Sequence, residues 1–154
     1  MKIIQWIFLV IAGAIIPFAI WAGGIGALYY LDIPSLIVII IGGYALALAS
    51  HGFAGVARAY RLGAGNHLDN NESGELAEAV IVLKGLGRNF IFFAFAGMIM
   101  GMIAMLGNWG GEATSFGWGF ATLIITGLYA ILANILLVLP FRHRLEAVLA
   151  RRKA

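Results

Sequence analysis

The chain has 154 residues, of which 62% are hydrophobic and 11% charged, with a net charge of +3 and a mean hydropathy of +0.98. Soluble domains carry charge on about a quarter of their residues, so this composition excludes a water-soluble globular fold and points to an all-α membrane protein with no length left for a soluble catalytic domain. The lack of cysteine removes disulfides, thiolate metal sites and thiol nucleophiles.

Residues 3–22, IIQWIFLVIAGAIIPFAIWA, are apolar apart from Gln5. That run exceeds the roughly 7–15 apolar residues of a signal peptide and predicts a retained first span. Pro17 should kink it near the outer end, with Trp6 and Trp21 marking the two interfaces. A turn-rich connector carrying Asp32 follows, and Pro34 with Ser35 starts the second helix. Its span is read as 35–57, with Gly42 and Gly43 suited to close helix packing and Arg58 and Arg61 at its far end.

Residues 58–88 form a cytoplasmic loop, polar from 62 to 73. Leu76, Ala79, Val80, Leu83 and Leu86 then recur at helical spacing. Ser73 is placed to cap this segment, with Glu75 and Glu78 near the positive end of its dipole. No breaker stronger than Gly85 and Gly87 separates it from the third span, 89–106, so one long helix is predicted over 74–106, extended into the cytoplasm. Gly97 and Gly101 make a G-x-x-x-G pair for helix packing.

After a short outer loop with Glu112 comes an uncharged stretch, residues 116–140, holding the fourth span at 117–139. Its length suffices to cross a hydrocarbon core of roughly 30 Å. Thr122, Thr126 and Tyr129 recur at i, i+4 and i+7, so their hydroxyls form a polar stripe on one face. Such hydroxyls either bond back to their own helix's carbonyls or line an ion pathway. Pro140 should stop or bend the helix before a basic amphipathic tail, 140–154.

With the N-terminus inside, all ten Lys and Arg fall on the cytoplasmic side, and Asp32 and Glu112 fall outside. The positive-inside rule then gives four spans with both termini cytoplasmic. The basic tail reads as a topology anchor drawn to anionic lipid rather than a nucleic-acid site. None of the spans holds Asp, Glu, Lys or Arg. A protein that moves ions keeps an ionisable group in the membrane, so either this chain moves no charge or a partner helix brings the carboxylate. His51, His67 and His143 lack ligand spacing, and no P-loop or H-E-x-x-H occurs. Neither an enzyme nor a metal or other cofactor is expected.

Residues 23–43, GGIGALYYLDIPSLIVIIIGG, resemble the first outer loop and second span of the flagellar stator family MotA, where Asp-Ile-Pro-Ser and an apolar run ending in Gly-Gly recur. Residues 94–107, AFAGMIMGMIAMLG, look like its third span, and 126–140, TGLYAILANILLVLP, like its fourth. This points to the MotA/TolQ/ExbB superfamily. The resemblance implies a homopentameric ring in the bacterial inner membrane, around a dimer of a single-span partner of the MotB, TolR or ExbD kind whose aspartate carries a proton or, less expectedly, sodium. By similarity Thr126 corresponds to the threonine facing that aspartate, and Pro140 to the proline at the inner end of the span. Three departures are visible: Ile91 stands where the family's third span begins with proline, Met98 replaces a hydroxyl residue, which favours protons over sodium, and about 30 residues replace the large rotor-engaging domain. The competing readings are a glycine-packed structural scaffold without ion transport, and a passive channel, which lacks a visible charged ring or filter.

Overall fold

A computed structural model describes residues 3–24, 26, 30–65, 72–107 and 113–153. The elements are α1 (Ile3–Ala22), α2 (Ile33–Ala64), α3 (Ser73–Gly107), α4 (Ala113–Ala133), a π-helical turn (Asn134–Val138) and α5 (Leu139–Lys153). No strand occurs among the described residues. Three helical stretches are long and apolar enough to cross a membrane, Ile33–Ala64, Ser73–Gly107 and Phe116–Arg152, and α1 is a fourth helix of 20 residues running through Pro17. Lys2, His67 and Glu112 lie outside the described residues, as do residues 66–71 of the polar loop.

The long third helix expected over 74–106 is found as Ser73–Gly107. Its apolar stripe is the centre of the protein: Leu76, Ala79, Leu83 and Leu86 are buried with Val82, Phe90 and Ala94. Against them pack Val56, Ala59 and Leu62 of α2 and Leu145 of α5. Much of the segment read as a loop at 58–88 is therefore helix, and its core is continuous with that between the spans.

The second helix is not straight. Tyr44 and Tyr60 share a hydroxyl hydrogen bond of 2.8 Å, with ring centroids 6.5 Å apart. Sixteen residues of straight helix would separate them by about 24 Å along the axis. The axis turns at Gly52, which has φ 67° and ψ 166°, a combination essentially confined to glycine. The buried face confirms the break. Ile39, Gly43 and Ala47 share one side before Gly52 and Val56, Ala59 and Gly63 another after it, about 170° apart on an ideal helical wheel. The expected span 35–57 is thus interrupted, leaving 33–51 as its straight part, about 28 Å long. Nothing lies within 4 Å of a Cβ added at Gly52, so Gly52→Ala tests the backbone alone. It should cost about 1–2 kcal/mol in detergent-to-SDS unfolding followed by circular dichroism, and an unchanged midpoint would refute the bend.

Pro140 does not stop the last helix. Proline lacks the N–H that would bond the carbonyl four residues back, and the chain answers with one π turn, in which the Leu139 N–H bonds to the Asn134 carbonyl. Helix then continues to Lys153, so the tail is part of the bundle. Arg144 Nη1 donates to the Gly63 carbonyl at 3.0 Å and Arg152 Nη1 to Ser73 Oγ at 3.3 Å. The crossing of α5 with α2 is close: a Cβ at Gly63 would stand 2.7 Å from Phe141 Cβ and 3.2 Å from its Cα.

At its start, α3 departs slightly from expectation. Ser73 is the first helical residue, and the Glu72 carbonyl receives the first backbone bond, from Leu76 N–H.

Candidate functional site

The hydroxyl stripe on α4 has partners within its own chain. Ser35, in the first turn of α2, places Oγ 2.9 Å from Thr126 Oγ1, and its hydroxyl donates to the Asp32 carboxylate. Thr126 Oγ1 also lies 2.8 Å from the Thr122 carbonyl, the back-bond that threonines in apolar helices favour. Tyr129 donates to the Tyr30 carbonyl and accepts from the Asp32 N–H at 2.8 Å. Tyr129 therefore pins the residues leading into α2 onto α4 and fixes where the Asp32 carboxylate stands.

Local sequence accounts for this arrangement. Asp32 is the residue preceding α2, and Pro34 occupies the first turn, where its missing N–H costs nothing. The first backbone bond runs from Leu36 N–H to the Asp32 carbonyl. That leaves the Asp32 side chain beside the positive end of the helix dipole, bonded to the hydroxyl three residues on. Thr126 is 1% exposed because Gly97 of α3 lets it in: a Cβ at Gly97 would come 3.2 Å from Thr126 Cγ2. Gly101 faces Leu123 about one turn nearer Gly107.

Depth matters as much as partners. Thr126 lies ten residues after Phe116, and Gly97 ten residues before Gly107, so the site is about 15 Å along the axis from the Phe116 and Gly107 ends of the two apolar helices. Asp32 is drawn in to the same level. It is half-buried beside Thr126 and Tyr129 in the second half of α4, and not in a loop beyond the helix ends as its place in the sequence predicts.

The chemistry available is that of a reversible hydrogen-bond chain. With Asp32 ionised, Ser35 donates to it and the single Thr126 proton is left between Ser35 Oγ and the Thr122 carbonyl. With Asp32 protonated, rotation of two hydroxyls reverses the order: Asp32 donates to Ser35, Ser35 to Thr126, and Thr126 to the Thr122 carbonyl. Each proton then has one acceptor. Both states use the same heavy-atom positions.

A second polar group lies further along α2 and the last helical stretch. Asn134, which opens the π turn, donates from Nδ2 to the carbonyls of Gly87 at 3.1 Å and Ala130 at 3.2 Å. Asn89, 7% exposed, reaches the Gly43 carbonyl at 3.5 Å. The Tyr44 and Tyr60 hydroxyls complete this level, boxed by the edge-on rings of Phe90 and Phe141. From sequence, Tyr44, Tyr60 and Asn89 have no assigned role, and Asn134 enters only as part of the stretch 126–140 that resembles a fourth span. Their signal was present, since a carboxamide in a span must find a donor or acceptor on another helix. Gly42 and Gly43, expected to pack helices, face Phe93 and Phe90 of α3. Among the described residues, no group of three or more His, Cys, Asp or Glu could hold a metal ion.

No protein-family model matches the chain, and no curated protein sequence matches it.

Proposed function

We propose that the chain is a ring-forming subunit of an ion-motive transducer of the MotA/TolQ/ExbB kind, driven by protons and working with a single-span, aspartate-bearing partner of the MotB, TolR or ExbD type. The carrying observation is the chain Asp32–Ser35–Thr126, a half-buried carboxylate joined through Ser35 to a buried hydroxyl partway along the apolar helix α4. An ionisable group at that depth is costly and is kept for relay. In this reading Asp32 takes up a proton from the outer side and gives one to Ser35, Ser35 gives its own to Thr126, and Thr126 turns from the Thr122 carbonyl to give its own to the partner's acid, which carries it through the inner half. Four helices cross the bacterial inner membrane with both termini in the cytoplasm, and five copies enclose the partner dimer.

The reading has a direct test. The chain is co-expressed with a neighbouring single-span protein bearing one membrane aspartate, purified, weighed in nanodiscs and reconstituted for proton uptake. A pentamer whose uptake requires the partner supports the proposal; uptake equal without any partner removes the borrowed acid from it.

A second reading, the structural scaffold, is favoured by one specific observation. Thr126 is enclosed within a single chain and back-bonded to Thr122, which is what a purely packing role would produce. A monomer or dimer with no uptake in the presence of the partner selects the scaffold.

A further inference from the structure

On the side of α3 away from the core, Lys84, Arg88, Phe92, Phe95 and Ile99 form one exposed stripe. Lys84 and Arg88, one helical turn apart, have no ion pair among the described residues. Arg88 is held over the Phe92 ring, 6.0 Å from its centroid, a geometry that orients a guanidinium without neutralising it. His51, exposed at the end of the straight part of α2, approaches the same level: its Nε2 would be 3.8 Å from a Cβ at Gly85. Beside it Phe53 is 80% exposed at the bend.

Dimensions match one lipid leaflet. Arg88 lies about 28 Å along the helix from Gly107, close to a full hydrocarbon thickness, which puts the two cations at the edge of the apolar layer. From Arg88 to Ile99 is about 16 Å, near the half-thickness of the bilayer. The polar end of the stripe offers two cations without an ion pair among the described residues and an imidazole, and the apolar end offers a leaflet-long track of aromatic and aliphatic side chains.

We propose that this stripe is a binding site for an anionic phospholipid of the leaflet on the basic side. The phosphate lies between Lys84 and Arg88 with His51 as a further donor, and one acyl chain lies along Phe92, Phe95 and Ile99. General attraction of basic residues to an anionic surface would act equally on any exposed cation at this level, whereas this site depends on two positions.

The test is native mass spectrometry of the full chain, delipidated and titrated with phosphatidylglycerol or with phosphatidylcholine of the same chains. Wild type should retain phosphatidylglycerol selectively. The Lys84→Gln/Arg88→Gln variant should bind it about 25-fold more weakly, taking about fivefold for each cation. The Lys84→Arg/Arg88→Lys variant should retain it, as should Arg61→Gln/Arg151→Gln, which removes the same charge from exposed positions elsewhere. Equal weakening in both glutamine variants, or equal retention of phosphatidylcholine by wild type, overturns the proposal. Lipid binding is read on the purified chain and does not depend on whether it conducts.

Discussion

Gly43→Leu should cost about 3 kcal/mol or more in unfolding free energy and broaden or abolish a cooperative transition. A side chain here collides with the ring of Phe90, which is fully buried and held edge-on by Tyr44 at 5.5 Å. Overpacking of a filled interior generally costs about 1–3 kcal/mol, with larger values where the obstructing group cannot move. The neighbouring Gly43 carbonyl also takes the Asn89 amide, so a shift of α2 away from α3 leaves a buried carboxamide short of its acceptor. Gly42 provides the control. An added Cβ there meets the Phe93 ring at 2.5 Å, but Phe93 is only half-buried and can swing outward. Gly42→Ala gains about 1 kcal/mol of helix propensity, which offsets that adjustment and leaves the variant near wild type. SDS titration in mixed micelles, followed by circular dichroism, checks both. If Gly43→Leu and Gly42→Ala unfold at the same SDS fraction, Phe90 does not fix the spacing of α2 and α3.

What could be read from the sequence was what depends on neighbours along the chain. Helix α3 was legible to within one residue at each end because Leu76, Ala79, Leu83 and Leu86 keep one phase and nothing between them and the third span interrupts hydrogen bonding. The break at Gly52 was not legible. Glycine inside a helical pattern is ordinarily tolerated, and only the packing of Val56, Ala59 and Leu62 on α3 demands a turned axis. The path through Pro140 was hidden for a related reason: a proline requires some adjustment, and a π turn meets that requirement without ending the helix. At the site, the stripe of Thr122, Thr126 and Tyr129 was visible as a periodicity. Its partners were not, because Thr126 and Ser35 are 91 residues apart and no local rule pairs them. By its place in the sequence Asp32 is a connector charge, and its depth depends on how far α2 begins below the ends of α3 and α4.

Thr126→Val should lower partner-dependent proton uptake by about 100-fold, the scale on which loss of one positioned proton-transfer group is felt, while leaving the bundle folded. Valine keeps the shape that fits against Gly97 but removes the one atom joining Ser35 to the carbonyl of Thr122. The stability cost is that of a hydrogen bond, about 1 kcal/mol, because the Thr122 carbonyl retains its helical partner. Thr126→Ser supplies the hydroxyl without the methyl and should restore most of the uptake, which a volume effect would not do. Asp32→Asn ends the chain at the other side: an amide can donate to Ser35 but cannot release the proton, so uptake should fall as far as in Thr126→Val. Tyr129→Phe removes the clamp from Tyr30 and Asp32 and should reduce uptake less, since the relay atoms remain and only their placement loosens. Proteoliposomes loaded with a pH-sensitive dye and energised by a potassium gradient measure all four. The double variant Asp32→Asn/Thr126→Val should be no slower than either single variant, because two groups in one series path cannot lose more than the path. Losses that multiply would place Asp32 and Thr126 on separate routes and dissolve the relay.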